Sequence, residues 1–185
     1  MNHLAAIGFG YTAAALARQL ETDAWHITGT TRTEAGADAI RAQGLGALVL
    51  DDATPAAALT GALNQVTHLL ISAAPGADGD PVIERIAQLR EDLPRLAWIG
   101  YLSTIGVYGN HGGAWIDEET PASPSSERGR RRLIAETAWQ VFGVRNALTV
   151  QVFRLPGIYG PGRSAIERLS AGTARRINKP GQVFN

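Results

Sequence analysis

Apolar positions fall in short blocks separated by polar, glycine-containing breaks, and each block is followed by a stretch of helical spacing. Leu4-Ala5-Ala6-Ile7 ends at Gly8 and is followed by an alanine- and leucine-rich segment from Thr12 to Leu20, which predicts strand, tight turn and helix. His26 to Thr30 predicts a second strand, Glu34 to Gln43 a helix and Ala47 to Leu50 a third strand. Pro55 suits the first turn of another helix, where a missing N–H has no intrahelical partner to lose. His68 to Ser72 predicts a fourth strand, and a loop from Pro75 to Pro81 leads into a helix over Val82 to Leu93.

Leu96 to Ile99 predicts a fifth strand, followed by a long glycine-rich connection from Gly100 to about Pro124. A link of that length in a compact domain points to function. From about Ser125 to Phe142 the pattern is helical, with Ile134, Ala138, Val141 and Phe142 as the expected apolar stripe, and Leu148 to Phe153 predicts a sixth strand. Strands alternating with helices predict a doubly wound, Rossmann-like α/β fold with a parallel sheet. Beyond Pro156 the chain is irregular, apart from a short helix announced by Ser164 and Glu167 at capping-box spacing. The expected division is a dinucleotide-binding domain over 1–155 and the start of a substrate-binding region over 156–185. The polar turn around Lys179 to Asn185 reads as an interruption, so the biological protein is expected to continue.

Composition narrows the chemistry. The 185 residues, 45% of them apolar, suffice for one sizeable core. No apolar run is long enough to cross a bilayer, and Met1-Asn2-His3-Leu4 does not open a secretory signal, so a cytoplasmic protein without membrane contact is expected. The absence of cysteine excludes disulfides, thiol nucleophiles and thiolate metal sites. Seventeen basic residues balance seventeen acidic ones, so total charge gives no sign of a nucleic-acid partner. All the basic residues but Lys179 are arginine, which leaves no candidate for a Walker lysine or a mid-chain Schiff base.

Gly8-Phe9-Gly10-Tyr11-Thr12-Ala13 has the G-x-G-x-x-A form of a dinucleotide fingerprint at a strand-to-helix junction. Gly8 allows the tight turn, Gly10 the approach of a pyrophosphate to the backbone, and Ala13 close packing of helix on strand. At the end of the second strand, Thr30-Thr31-Arg32 offers an arginine for a 2′-phosphate, which favours NADP. A solvated Arg32 is the alternative, and Glu34 leaves NAD open. Asp51-Asp52 either contacts adenine or supports a turn, and Ala73-Ala74 lies beside the expected cofactor path.

Beyond the fifth strand, Ser103 and Thr104 place hydroxyls where α/β folds bind ligands, and one of them is expected to contact a substrate carbonyl or alcohol. Tyr108 and Trp115 are candidates for the substrate pocket, with loop packing as the alternative. His111 is either an acid-base group or a surface histidine, and Asp117-Glu118-Glu119 reads as a hydrated loop rather than a metal site.

The fingerprint, Ser103-Thr104-Ile105-Gly106-Val107-Tyr108-Gly109, and Arg154-Leu155-Pro156-Gly157-Ile158-Tyr159-Gly160-Pro161-Gly162 together resemble the NAD-dependent epimerase/dehydratase family. This is the extended and atypical branch of the short-chain dehydrogenases/reductases, and the resemblance spans nearly the whole chain. It implies a Rossmann domain followed by a smaller substrate domain. It also implies hydride exchange between a nicotinamide and a hydroxyl-bearing carbon of a small molecule such as a nucleotide-linked sugar, and homodimers formed through helices near the catalytic segment. Thr104 matches the family's catalytic serine or threonine, and Pro156 to Tyr159 the segment beside nicotinamide and substrate. The family's tyrosine and lysine positions fall on Arg128 and Arg132, and arginine is a poor acid-base group.

Two readings of that arginine run are open. One is a solvated helix face supported by Glu127 and Arg131; the other has Arg128 facing a phosphate or carboxylate and Arg132 bonding cofactor ribose. Tyr108, Tyr101 and His111 are the alternate proton donors. The leading expectation is an NADP-preferring oxidoreductase or epimerase-like enzyme, and the competing one a dinucleotide-binding regulator or redox sensor without turnover.

Overall fold

The computed structural model describes residues 1–20, 23–77 and 79–175 of the 185. Six strands form one parallel sheet: β1 (Asn2–Ile7), β2 (Trp25–Thr31), β3 (Gly46–Val49), β4 (His68–Ile71), β5 (Trp98–Thr104) and β6 (Thr149–Leu155). Their spatial order is β3-β2-β1-β4-β5-β6, so the connection from β3 to β4 reverses the direction in which the sheet is built, and a crevice opens between β1 and β4 at that switch point. This is the expected α/β Rossmann-like fold.

Alternate residues of the central strands feed two cores, as the two-residue period of a strand requires. Ala5 and Ile7 of β1, Leu69 and Ile71 of β4, and Ile99 and Tyr101 of β5 point to one face. There they meet Leu59 and Leu63 of α3 (Ala56–Leu63), Val82 and Ile86 of α4 (Pro81–Gln88), and Trp139 and Phe142 of α5 (Glu127–Arg145). Leu4, Ala6 and Leu70 point to the other face, against Ala13 of α1 (Tyr11–Ala17). Each fully buried aliphatic side chain stabilises the fold by about 1.5–3 kcal/mol before its ordering cost. α2 (Glu34–Arg41) packs on β2 and β3 through Ala37 and Ile40, and is capped by Thr33, whose hydroxyl accepts from Gly36 N at 3.2 Å.

Several boundaries differ from the pattern-based expectation. α1 is Tyr11–Ala17 rather than a helix running to Leu20, and α4 stops at Gln88 with a separate 3₁₀ turn at Arg90–Asp92. Pro55 is the N-cap of α3 instead of its first helical residue. β5 does not end at Ile99: it continues to Thr104, paired with β6 throughout, so Ser103 and Thr104 belong to the strand and not to a loop.

The expected stripe on α5 is also corrected. Ile134 is 65% and Val141 42% exposed, while the buried face carries Arg132, Ala135, Glu136, Trp139 and Phe142. Two charged residues can occupy a buried helix face because sheet groups receive them, as described below. The capping box of Ser164 and Glu167 is present at the start of α6 (Ala165–Ser170). Lys179 and the rest of the terminal turn lie outside the described residues.

Candidate functional site

Gly8 makes the turn out of β1 with φ of +86°, and a Cβ there would stand 3.0 Å from Ala73 N at the end of β4. Glycine is therefore required twice over, by conformation and by contact. The turn is pinned from β2: Gly8 N donates to the Thr30 hydroxyl at 2.9 Å and Phe9 N to the Thr30 carbonyl at 2.8 Å. Thr30 is 2% exposed, and its hydroxyl holds the glycine turn. Gly10 is the N-cap of α1, with no side chain capping the helix, and a Cβ on it would meet nothing within 4 Å. Ala13, 1% exposed, seats α1 on the sheet.

A cleft of about 260 Å³ opens beside this turn, at the carboxyl ends of the strands. Thr12 and Ser72 border it on the β1 and β4 side, Ser103 and Thr104 at the end of β5, and Pro156 beyond β6. Arg128, Arg132 and Arg163 supply its charged walls. Tyr11 ties the far wall to the turn: its hydroxyl donates to the Pro161 carbonyl at 3.1 Å, and the Arg163 guanidinium lies 5.5 Å from its ring centre.

Hydrogen-bond accounting separates the two hydroxyls of β5. Ser103, 6% exposed, donates its hydroxyl proton to Glu136 Oε1. Thr104 accepts from Gly106 N at 3.2 Å, which leaves its own O–H available to donate. Glu136, 2% exposed, is in turn paired with Arg154 at 2.9 Å, and this bond holds Arg154 above the ordinary arginine range. The Arg154 guanidinium lies 4.7 Å from the centre of the Tyr108 ring.

Arg132 is buried against β5. Its Nη1 donates to the Leu102 carbonyl at 2.7 Å and to the Tyr101 hydroxyl at 3.2 Å. Arg128, one turn earlier, is exposed. Tyr101 is fully buried, and burial pushes its hydroxyl up to about 12, with Arg132 pulling the other way. Buried beneath Arg132, Tyr101 does not border the cleft for which it is a candidate proton donor. The i,i+4 pair of Glu127 and Arg131 is present at 3.1 Å, so the solvated-face reading holds for those two residues, while Arg132 departs from it.

At the ribose end, Arg32 is exposed just past β2. Glu34 bonds Arg41 at 3.0 Å on the surface of α2. Thr31 is partly buried beneath Gly36, whose added Cβ would meet the Thr31 hydroxyl at 2.4 Å. Asp51 organises a turn, accepting from the Thr54 hydroxyl at 2.8 Å and from Ala53 N at 3.0 Å, and the Thr54 bond holds its pKa below the usual carboxylate value. Ala73 closes against Gly8, and Ala74 is exposed beyond it.

The remaining candidates are not gathered at the cleft. Tyr108, 5% exposed, borders a separate depression of about 530 Å³ with Ile105, Asp117, Glu118 and Arg154. His111 Nε2 donates to the Tyr108 carbonyl at 3.0 Å. Trp115 is fully exposed and borders none of these depressions, and Tyr159, 84% exposed, borders a third one along the 157–175 segment. Asp117 caps its own turn through Thr120 and Glu119. The sequence gives no signal that Ser72, Arg163 or Glu136 belongs to this region, and Arg154 stands there only as a member of a motif.

No family model matches the chain. Protein YeeZ of Escherichia coli strain K12 is 26% identical over 171 residues, which cover 88% of this chain and 61% of that protein. A solved structure of a conserved protein of unknown function from Silicibacter pomeroyi DSS is 47% identical with a TM-score of 0.84, covering 100% of this chain and 62% of that one. UDP-glucuronic acid 4-epimerase from Bacillus cereus in complex with NAD is 19% identical with a TM-score of 0.66, covering 85% of this chain and 57% of that one. The chain thus spans about three fifths of the length of the relatives it matches, and it shares the Rossmann-like fold of the epimerase. Among the described residues no helix is long and apolar enough to cross a membrane.

Proposed function

We propose that this chain is the dinucleotide-binding part of an NADP-preferring oxidoreductase or epimerase-like enzyme acting on a small hydroxyl or carbonyl compound. The observation that carries the reading is the vacant space over Gly10 at the β1–α1 turn, beside a cleft at the sheet's switch point that also reaches Thr104 and Pro156. The residues present fit a dinucleotide. A backbone uncluttered by Cβ atoms and an uncapped helix start accept a pyrophosphate, and the epimerase of like fold is a complex with NAD.

Gly8, Gly10, Tyr11, Thr12 and Ala13 would form the pyrophosphate turn, Thr31 and Arg32 the adenosine-ribose end, and Ala73, Ala74 and Pro156 the path toward the cleft. NADP is preferred over NAD because Arg32 is exposed at the ribose position while the nearby acid Glu34 is engaged by Arg41. The nicotinamide, when bound, supplies hydride exchange with a carbon of the substrate. Thr104 orients the substrate oxygen with the O–H that Gly106 leaves free, and Ser103 holds Glu136 rather than substrate. The segment from 156 onward begins the substrate side, and the exposed apolar positions Ile134 and Val141 on α5 suit a homodimer contact.

Titration with NADPH and NADH tests this. NADPH is expected to bind about tenfold more tightly, as one charge-assisted contact allows, with the difference abolished by Arg32→Ala. Equal affinities unchanged by the substitution would reject the preference, and no binding of either would reject the whole reading. A second reading, a dinucleotide-binding regulator without turnover, is favoured by one observation. Arg128 and Arg132, which the family resemblance aligns with its tyrosine and lysine, both border the cleft, and arginine is a poor acid-base group. Binding of NADPH without loss of reduced cofactor across a carbonyl panel would select it.

A further inference from the structure

We propose that the cleft at the carboxyl end of β5 receives the carboxylate or phosphate of a small anionic substrate, held by Arg128 with Arg132 behind it. The inference rests on the dinucleotide reading above and names the substrate class for the same site. It begins with local charge. Arg128, Arg132 and Arg163 border the cleft and no aspartate or glutamate does, although the chain as a whole is neutral. Four arginines outside the cleft, Arg41, Arg130, Arg131 and Arg154, each meet a carboxylate within 3.1 Å, whereas none of the three at the cleft is in an ion pair among the described residues.

Arg132 is unmatched in a place where that is costly. It is only 8% exposed, its Nη1 is given to two neutral acceptors, and none of the ion pairs among the described residues includes it. A guanidinium does not shed its proton, so burial cannot be relieved by neutralisation. Two neutral acceptors and the Tyr101 ring, 5.6 Å from the guanidinium carbon, offset only part of the cost of burying the cation, and the carboxylate of Glu136 one turn on is engaged by Arg154, so an anion in the adjoining cleft lowers that cost. Arg128, one helical turn away and in the same cleft, is likewise in no ion pair among the described residues. Two guanidiniums on one wall suit a planar or tetrahedral oxyanion.

The cofactor would bring an anion of its own, and geometry divides the arginines between the two. Arg163 stacks on Tyr11 of the glycine turn and belongs to the pyrophosphate side. Arg132 is bonded to Leu102, two residues before Thr104, so Arg128 and Arg132 flank the hydroxyl that meets the substrate oxygen. The oxyanion therefore lies a few bonds from the reacting carbon, as in a hydroxy acid, an oxo acid or a small phosphorylated alcohol.

The test titrates malonate and inorganic phosphate into protein saturated with NADPH, followed by calorimetry, the two probes distinguishing carboxylate from phosphate. Saturable binding of at least one is expected, about tenfold weaker in Arg128→Gln, which removes a charge-assisted contact. It should be unchanged in Arg131→Gln, whose guanidinium is committed to Glu127. Because Arg128 is exposed, its variant should melt with the parent, and the loss then belongs to binding. No saturable binding of either probe overturns the proposal. So does an Arg128→Gln variant that loses NADPH affinity while keeping probe affinity, since the arginine would then serve the cofactor. If NADPH does not bind at all, the dinucleotide reading fails by itself. The same titrations into the free protein then decide the oxyanion site: Arg128-dependent binding keeps it, and its absence removes it.

Discussion

Glu136 and Arg154 form a two-point ion pair beneath the carboxyl edge of the sheet, with Arg154 Nη2 at 2.9 Å and Nε at 3.2 Å from Glu136 Oε2. The pair joins α5 to β6, and Ser103 joins it to β5. Three elements that border the cleft thus share one buried carboxylate. Removing its charge leaves Arg154 largely buried without a counter-ion, which typically costs about 3 kcal/mol. Glu136→Gln should therefore lower unfolding free energy by about that amount in urea titration, and Ser103→Ala by about 1 kcal/mol. The double variant should lose less than the sum, since both residues act on one network. A loss below about 0.5 kcal/mol for Glu136→Gln would mean that the pair does not hold the site together.

Acid should weaken the fold through the opposite end of the sheet. His3, 7% exposed, accepts or donates a 2.9 Å bond with the Thr28 hydroxyl, and its pKa is pushed down to about 4 by burial first, then by His26 and Arg95. Because the folded value lies below the unfolded one, the unfolded chain binds the extra proton between them. The stabilisation is present above about pH 6.5 and is lost as pH falls toward 4. The pKa of His68 is lowered by burial as well, so its protonation opposes folding in the same direction. Urea titrations at pH 7.5 and 4.5 should differ by about 2 kcal/mol more in the parent than in His3→Gln. An equal pH dependence in the two proteins would remove His3 as the cause.

The fold was legible because its signals are local: apolar blocks, glycine at turns, and Ser164 with Glu167 at capping distance. What failed was long-range. The apolar pattern of β5 stops at Ile99, because Gly100, Ser103 and Thr104 have the residue types of a loop. In the structure Gly100 lies under the Trp98 ring and Ser103 is buried by its bond to Glu136. Apolar periodicity chose Ile134 and Val141 for the inner face of α5, and it has no means of recognising Arg132 and Glu136 as inward residues whose partners come from β5 and β6. The glycine turn and Thr104 were visible as motifs, whereas Arg163 reaches the cleft only through its contact with Tyr11, far away in the chain.

The hydroxyl accounting predicts that Thr104 and Ser103 fail differently. Thr104→Ala removes a donor that borders the cleft and an exposed acceptor of Gly106 N, and leaves the buried Ser103–Glu136 bond intact, so stability should fall by about 1 kcal/mol or less. In a protein with measurable NADPH oxidation, loss of one oriented donor should lower kcat/KM by about a hundredfold. Ser103→Ala should lower the melting temperature while reducing kcat/KM much less. Identical rate losses in the two variants would show that the hydroxyls act as a pair.

Gly8 and Gly10 should separate folding from binding. Alanine at Gly8 adopts φ near +86° and sets its Cβ 3.0 Å from Ala73 N, so Gly8→Ala should cost about 1–3 kcal/mol of stability. Gly10 has φ of −97° and ψ of −166°, a conformation open to any L-residue, and nothing lies within 4 Å of an added Cβ. Gly10→Val should therefore unfold at nearly the parental denaturant concentration. The space that it fills is the one a pyrophosphate would use, so NADPH affinity should fall by at least about tenfold, the loss of one close phosphate contact. Calorimetric titration alongside urea melts gives both readouts from the same preparations. Full NADPH affinity in Gly10→Val would mean that the cofactor does not approach this turn, and a large stability loss there would mean that the space over Gly10 is filled by the protein itself.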